Sequence, residues 1–133
     1  MITWSPEYSV KIKEIDEQHN VIVSVTSELS ELVEKGASRD LIGTVIWKLL
    51  SFAHYHFATE EKYFALFVYE GAKEHIETHH VMLERLEQFR RDYFEAGKDV
   101  TAELVNFTMI WLTDHILKQD KKYVKCFQEH GLR

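Results

Sequence analysis

Two pairs of metal-type donors at helical spacing constrain this chain more than any other feature. They are His56-x-x-x-Glu60 and, fifteen positions further on, His75-x-x-x-His79. Residues four apart in an α-helix lie about 40° apart around the axis and roughly 6 Å along it, so each pair projects two donors from one face. One such pair is a weak signal. The flanking segments strengthen it by bringing His19 upstream, then His115 and Asp120 downstream. Five imidazoles and two carboxylates on four segments suit two metal ions.

The apolar pattern around these donors predicts helices. From Ile15 a stripe runs Ile15, His19, Ile22, Thr26, Leu29, Val33 and ends near Lys35-Gly36, with Asp16 as the expected N-cap. Ser38 and Asp40 can cap a second helix whose stripe reads Ile42, Val45, Leu49, Phe52, His56, Glu60, Tyr63, Phe67. The pattern breaks around Glu70-Gly71. A third helix carries His75, His79, Met82, Leu86, Phe89 and Tyr93 and ends near Ala96-Gly97. A fourth starts after Asp99 or Thr101, carries Leu104, Thr108, Trp111, Leu112 and His115, and is expected to reach Tyr123 or Phe127. Short connections and the absence of strand-like alternation favour an all-α, up-down-up-down antiparallel four-helix bundle. Residues 1–15 hold the only proline, Pro6, and no sustained helical period, so they are expected to form an extended N-terminal arm anchored by Trp4, Tyr8 and Ile12. The expected organisation is one domain over 1–133: the arm, a bundle over about 16–128, and a tail at 129–133.

An inward histidine by itself is more often a core residue bonded to a carbonyl than a ligand. Glu60 resists that reading, because burying an unpaired charge costs on the order of several kcal/mol. A lysine partner would need Lys62, Lys73, Lys118, Lys121 or Lys122 to leave the register read here, whereas two divalent cations would compensate both carboxylates and orient the imidazoles. Asp120 follows His115 by five positions, about 140° around an ideal helix, so the two do not lie directly above one another; it would still reach a metal if the helix tightens or bulges locally, or as a bridging carboxylate approaching from the side. His54 and His80 sit beside inward positions and His130 lies in a polar tail, so these three are expected to stay outside the cluster.

Composition narrows the partners. A net charge of −6 without long single-sign runs argues against nucleic acid or an anionic membrane surface. The longest apolar run, Phe64 to Tyr69, is far short of a membrane span, the first residues lack a signal-peptide pattern, and the single Cys126 has no internal partner. These features lead to the expectation of a soluble, cytoplasmic, monomeric protein. Imidazole and carboxylate ligands accept iron, zinc, copper or manganese, so function has to choose the metal. Seven donors shared by two ions leave one ion open to a small ligand, a vacancy that a redox-active metal such as iron would use.

The residues Ile15-Asp16-x-x-His19, His56-Phe57-x-x-Glu60-Glu61, His75-x-x-x-His79, Trp111-Leu112-x-x-His115-Ile116 and Asp120 together resemble the hemerythrins, in particular single-domain bacteriohemerythrins. The match runs over nearly the whole chain. The resemblance implies a non-haem di-iron site that binds dioxygen reversibly. One iron would take His75, His79 and His115, the other His19 and His56, with Glu60 and Asp120 bridging and an oxo or hydroxo bridge completing the pair. It also implies an oxygen pocket lined by Ile22, Phe57, Trp111, Leu112 and Ile116, positions that helical spacing alone would read simply as core. Phe64 stands where family members often carry methionine, Ala72 where the turn often has proline, and Ile22 where leucine is common. None of these departures touches a ligand.

Three classes of function are compatible with such a site: an oxygen carrier for storage, delivery or scavenging; a di-iron enzyme with weak peroxidase or nitric-oxide activity; and an oxygen or redox sensor acting through a partner protein. The Glu-x-x-His motif of ferritin-like oxidases occurs once, at Glu77 to His80, which weighs against the enzyme. The carrier is the expected function.

Overall fold

The computed structural model describes residues 4–133. Met1, Ile2 and Thr3, which open the expected arm, lie outside the described residues. The helices are α1 (Lys13–Glu34), α2 (Arg39–Leu66), α3 (Ala72–Arg90), α4 (Thr101–Lys118) and a short α5 (Val124–Glu129). No strand occurs among the described residues. In the four-helix bundle, α1 packs against both α2 and α4, and α2 packs against α3. No helix of the described residues is long and apolar enough to cross a membrane.

Each long helix forms where an apolar stripe can be buried along one side. Ile15, Ile22 and Leu29 of α1, Leu49, Phe57 and Phe64 of α2, Leu86 and Phe89 of α3, and Leu104 of α4 are all buried together. Val33, expected on the α1 stripe, is instead exposed, on the last turn of the helix. The α1 stop is as expected: Gly36 adopts a left-handed φ of 67°, and bonds from Ala37 N to Leu32 O (3.0 Å) and from Gly36 N to Val33 O (3.1 Å) close the helix. At the start of α2 the Ser38 hydroxyl accepts from Leu41 N, while Asp40 lies inside the first turn.

The N-terminal segment departs from the expected extended arm. Pro6–Tyr8 forms a 3-10 turn and α1 begins at Lys13, about one turn earlier than Asp16 as N-cap would give. Asp16 lies in the first turn of α1 and reaches back instead, accepting from Ser9 Oγ (2.6 Å) and Val10 N (2.8 Å). Its charge also lies near the positive end of the helix dipole. The anchors hold: Ile12 is fully buried, and Trp4 and Tyr8, with ring centroids 6.0 Å apart, pack half-buried on the core.

The last element also differs from a continuous fourth helix. α4 stops at Lys118, a 3-10 turn occupies Asp120–Tyr123, and α5 follows. Fully buried Tyr123 and Phe127, stacked at 4.3 Å, turn this segment onto the bundle end. That change of helical pitch decides where Asp120 points.

Asp16→Ala should lower the unfolding free energy by roughly 1.5–3 kcal/mol, as expected for losing bonds to a charged group. Chemical denaturation compared with exposed Glu17→Ala checks this, and equal effects of the two substitutions would contradict it.

Candidate metal centre

Each donor reaches the bundle interior because its helix buries the face on which it lies. His19 belongs to α1, His56 and Glu60 to α2, His75 and His79 to α3, His115 to α4 and Asp120 to the 3-10 turn after it. All seven are buried. His19, His56, Glu60, His79 and Asp120 have no accessible surface at all.

Their ligand atoms converge in two groups, Glu60 with His75, His79 and His115, and His19 with His56, Glu60 and Asp120; within each group these atoms lie within 4.8 Å of one another. Glu60 Oε1 is 3.0 Å from His79 Nε2, 3.3 Å from His56 Nε2 and 3.9 Å from His75 Nε2. Asp120 ties the groups from the other side. Its Oδ1 is 2.9 Å from His115 Nε2 and 3.0 Å from His75 Nε2, and its Oδ2 is 2.9 Å from His19 Nε2. Asp120 therefore reaches the cluster through the tighter 3-10 pitch, a local tightening of the kind its spacing from His115 suggests.

The polar atoms at the centre are poorly satisfied by one another. Both nitrogens of His19, Nε2 of His56 and of His79, and all four carboxylate oxygens of Glu60 and Asp120 are buried without a partner in hydrogen-bond geometry. Among the described residues no lysine or arginine pairs with either carboxylate, and Lys62, Lys73, Lys118, Lys121 and Lys122 all stay exposed. Buried polar atoms in this number, gathered around two carboxylates with no lysine or arginine beside them, are costly unless cations lie between them. The donor set fits a two-metal site.

The proton affinities agree. Burial pulls His56 down to about 4, against the attraction of Glu60, and burial likewise pulls His79 down to about 4. Both are neutral near pH 7, the form that coordinates a metal. Burial also opposes the charge on His115, but the neighbouring Asp120 carboxylate outweighs it and raises His115. Asp120 is held well below its usual range, since His115, His19 and His75 outweigh its burial.

Aromatic and polar neighbours fix the imidazoles. Phe57 stacks on His79 at 4.1 Å, Trp111 stacks on His115 at 4.4 Å, and Phe57 meets Trp111 edge-on at 5.2 Å. Ile22, Phe57, Leu112 and Ile116 are buried and Trp111 is half-buried. His54, His80 and His130 lie exposed, away from the cluster.

Three residues at the site have roles that the sequence reading did not assign, although Glu61 stood in the motif beside Glu60. Gln18 Oε1 lies 2.7 Å from His56 Nδ1, and Glu61 Oε2 lies 2.9 Å from His79 Nδ1. Tyr123 is fully buried, and its hydroxyl is kept protonated by burial and by the nearby Glu60 and Asp120 charges. Gln18 and Glu61 sit directly beside the ligands His19 and Glu60 in sequence, off the strict apolar stripe. A search for partners of the Nδ1 atoms, rather than for further ligands, would have pointed to them.

Comparison with known proteins follows the same pattern. Residues 10–127 match the family model described as the hemerythrin HHE cation binding domain. The bacteriohemerythrin of Pseudomonas aeruginosa strain PAO1 is 31% identical over 123 residues, covering 92% of this chain and 79% of that protein. The bacteriohemerythrin of Stenotrophomonas maltophilia is 28% identical over 130 residues, covering 98% and 84%. A crystal structure of wild-type hemerythrin superposes with a TM-score of 0.89 at 24% identity, covering 95% of this chain and 97% of that one.

The metal-free chain should lose stability as pH falls from about 6.5 to about 4. Through that window the unfolded chain takes up protons at His56 and His79, and the folded chain does not. His115, raised above 6.5, contributes in full below that value, and Asp120 loses its contribution only below its ordinary 3.8, so neither reverses the slope inside the window. Denaturation midpoints of metal-free protein across this range check it; a midpoint that rises on acidification would contradict it.

Proposed function

Because this chain belongs to the hemerythrin family, we propose that its buried donor cluster holds two iron ions and that the protein binds dioxygen reversibly, for storage, delivery or scavenging. The observation that carries this reading is the pair of overlapping donor groups sharing Glu60, with Asp120 within 3.0 Å of His75 and His115 on one side and of His19 on the other. One ion would be held by His75, His79 and His115 and the other by His19 and His56, with Glu60 and Asp120 bridging. With an oxo or hydroxo bridge added, the first position counts six donors and the second five, which leaves the second open. When bound, the iron pair supplies electrons and that open position, the two requirements for taking up and releasing dioxygen.

The protein's own residues supply orientation and dryness. Stacking by Phe57 and Trp111 sets the planes of His79 and His115, so their Nε2 lone pairs face inward. Leu112 lies about one turn before His115, Ile116 directly follows it, Ile22 lies about one turn beyond His19, and Phe57 directly follows His56. These apolar side chains are buried and shield the centre from water, which slows loss of bound ligand by hydration and the oxidation of a ferrous pair. Glu77 and His80, which form the one ferritin-like Glu-x-x-His, are both exposed, which favours a binding protein over an oxidase.

Iron-loaded, reduced protein should develop a visible absorption band when oxygen is admitted and lose it when oxygen is removed, over repeated cycles. A single irreversible oxidation would transfer the reading to an enzyme or redox sensor, and the absence of any iron-dependent band would overturn the site. Leu112→Ala should speed autoxidation several-fold without loss of iron; an unchanged rate would remove Leu112 from the oxygen pocket.

A further inference from the structure

Resting on the two-iron reading above, we infer that Glu61 and Gln18 make the two metal positions unequal electron donors, Glu61 acting as a positioning residue that strengthens His79 as a ligand. The two imidazoles are backed differently. On one side His79 Nδ1 faces the Glu61 carboxylate at 2.9 Å. Among the described residues no lysine or arginine pairs with Glu61, so its negative charge is directed at this ring. On the other side His56 Nδ1 faces the neutral amide oxygen of Gln18 at 2.7 Å. His19, assigned to the same ion as His56, has no hydrogen-bond partner for its Nδ1 among the described residues.

The hydrogen-bond directions on the Gln18 side follow in sequence. The Thr59 hydroxyl donates to Tyr55 O (3.0 Å), so it can only accept from Gln18 Nε2 (3.2 Å). Gln18 Oε1 is then left as an acceptor, and His56 must carry its proton on Nδ1, leaving Nε2 free toward Glu60. The Glu61 carboxylate imposes the same tautomer on His79, again leaving Nε2 toward Glu60. Both rings thus point a lone pair inward, but with unequal strength.

The inequality matters when an ion is oxidised. An ion of higher charge would be held better by a ring whose Nδ1–H donates to a carboxylate, because the negative charge of Glu61 makes the Nε2 of His79 the stronger donor. An amide acceptor offers no such charge. The ferric state is therefore favoured at the position held by His75, His79 and His115, and the position held by His19 and His56 keeps the weaker donor set.

Stepwise cobalt(II) titration of the iron-free chain, followed by visible absorption, and potentiometric titration of the iron-loaded chain test this together. Wild-type protein should take two ions. Glu61→Gln should weaken one step by at least about tenfold and leave the other unchanged, within the range seen for outer-shell partners of metal-bound histidines. It should also raise the potential of one iron only, by about 59 mV for each tenfold loss of ferric preference. Gln18→Glu should lower the potential of the other iron. The near-isosteric change at partly exposed Glu61 leaves packing intact, and an iron-free unfolding midpoint equal to wild type verifies it. Unchanged binding and potential, or equal weakening of both steps, would overturn the inference. Wild-type protein taking up fewer than two ions would overturn the site reading itself, and this inference with it.

Discussion

Two buried carboxylates, Glu60 and Asp120, with no lysine or arginine partner among the described residues, set the terms for the rest of this structure. Replacing buried charged groups with apolar ones of similar volume is often neutral or stabilising, so packing alone does not account for them. Their presence is explained if something positively charged occupies the space between them, and five imidazole rings surround that space, of which burial holds His56 and His79 neutral, the form that coordinates a metal. The four helices serve as rigid supports from which donors project at fixed height and angle.

The supports act through more than the ligands. Phe57 and Trp111 cover the outer faces of His79 and His115, so one pair of aromatic side chains contributes to the core and also fixes the orientation of the rings. Gln18, Thr59 and Glu61 perform the same service for the distal nitrogens. Packing and chemistry converge on the same residues here.

Helical period made most of the site legible beforehand. His19, His56, Glu60, His75, His79 and His115 occupy inward positions of their stripes, and the structure buries each of them in one cluster. Exposure of His54, His80 and His130 follows from the same rule, since each is offset from a buried face or lies beyond it. Helix ends were less legible. Asp16 reads as an N-cap from its type alone, but the bonds it makes to Ser9 and Val10 depend on a preceding turn whose path is set by packing of Ile12, Trp4 and Tyr8.

The sequence by itself determined the architecture and the donor chemistry, because a period near 3.6 residues both buries a face and aligns whatever donors lie on that face. Only the tertiary structure decided the position of Asp120 and the partners of the distal nitrogens. Asp120 is about 140° from His115 on an ideal helix, and it joins the cluster because burial of Tyr123 and Phe127 against the bundle end ends α4 early and tightens the next turn. Gln18 and Glu61 meet rings thirty-eight and eighteen residues away in the chain, on neighbouring helices. Contacts of that kind depend on how helices rotate and approach one another, which is fixed by the packed core as a whole and by no local pattern.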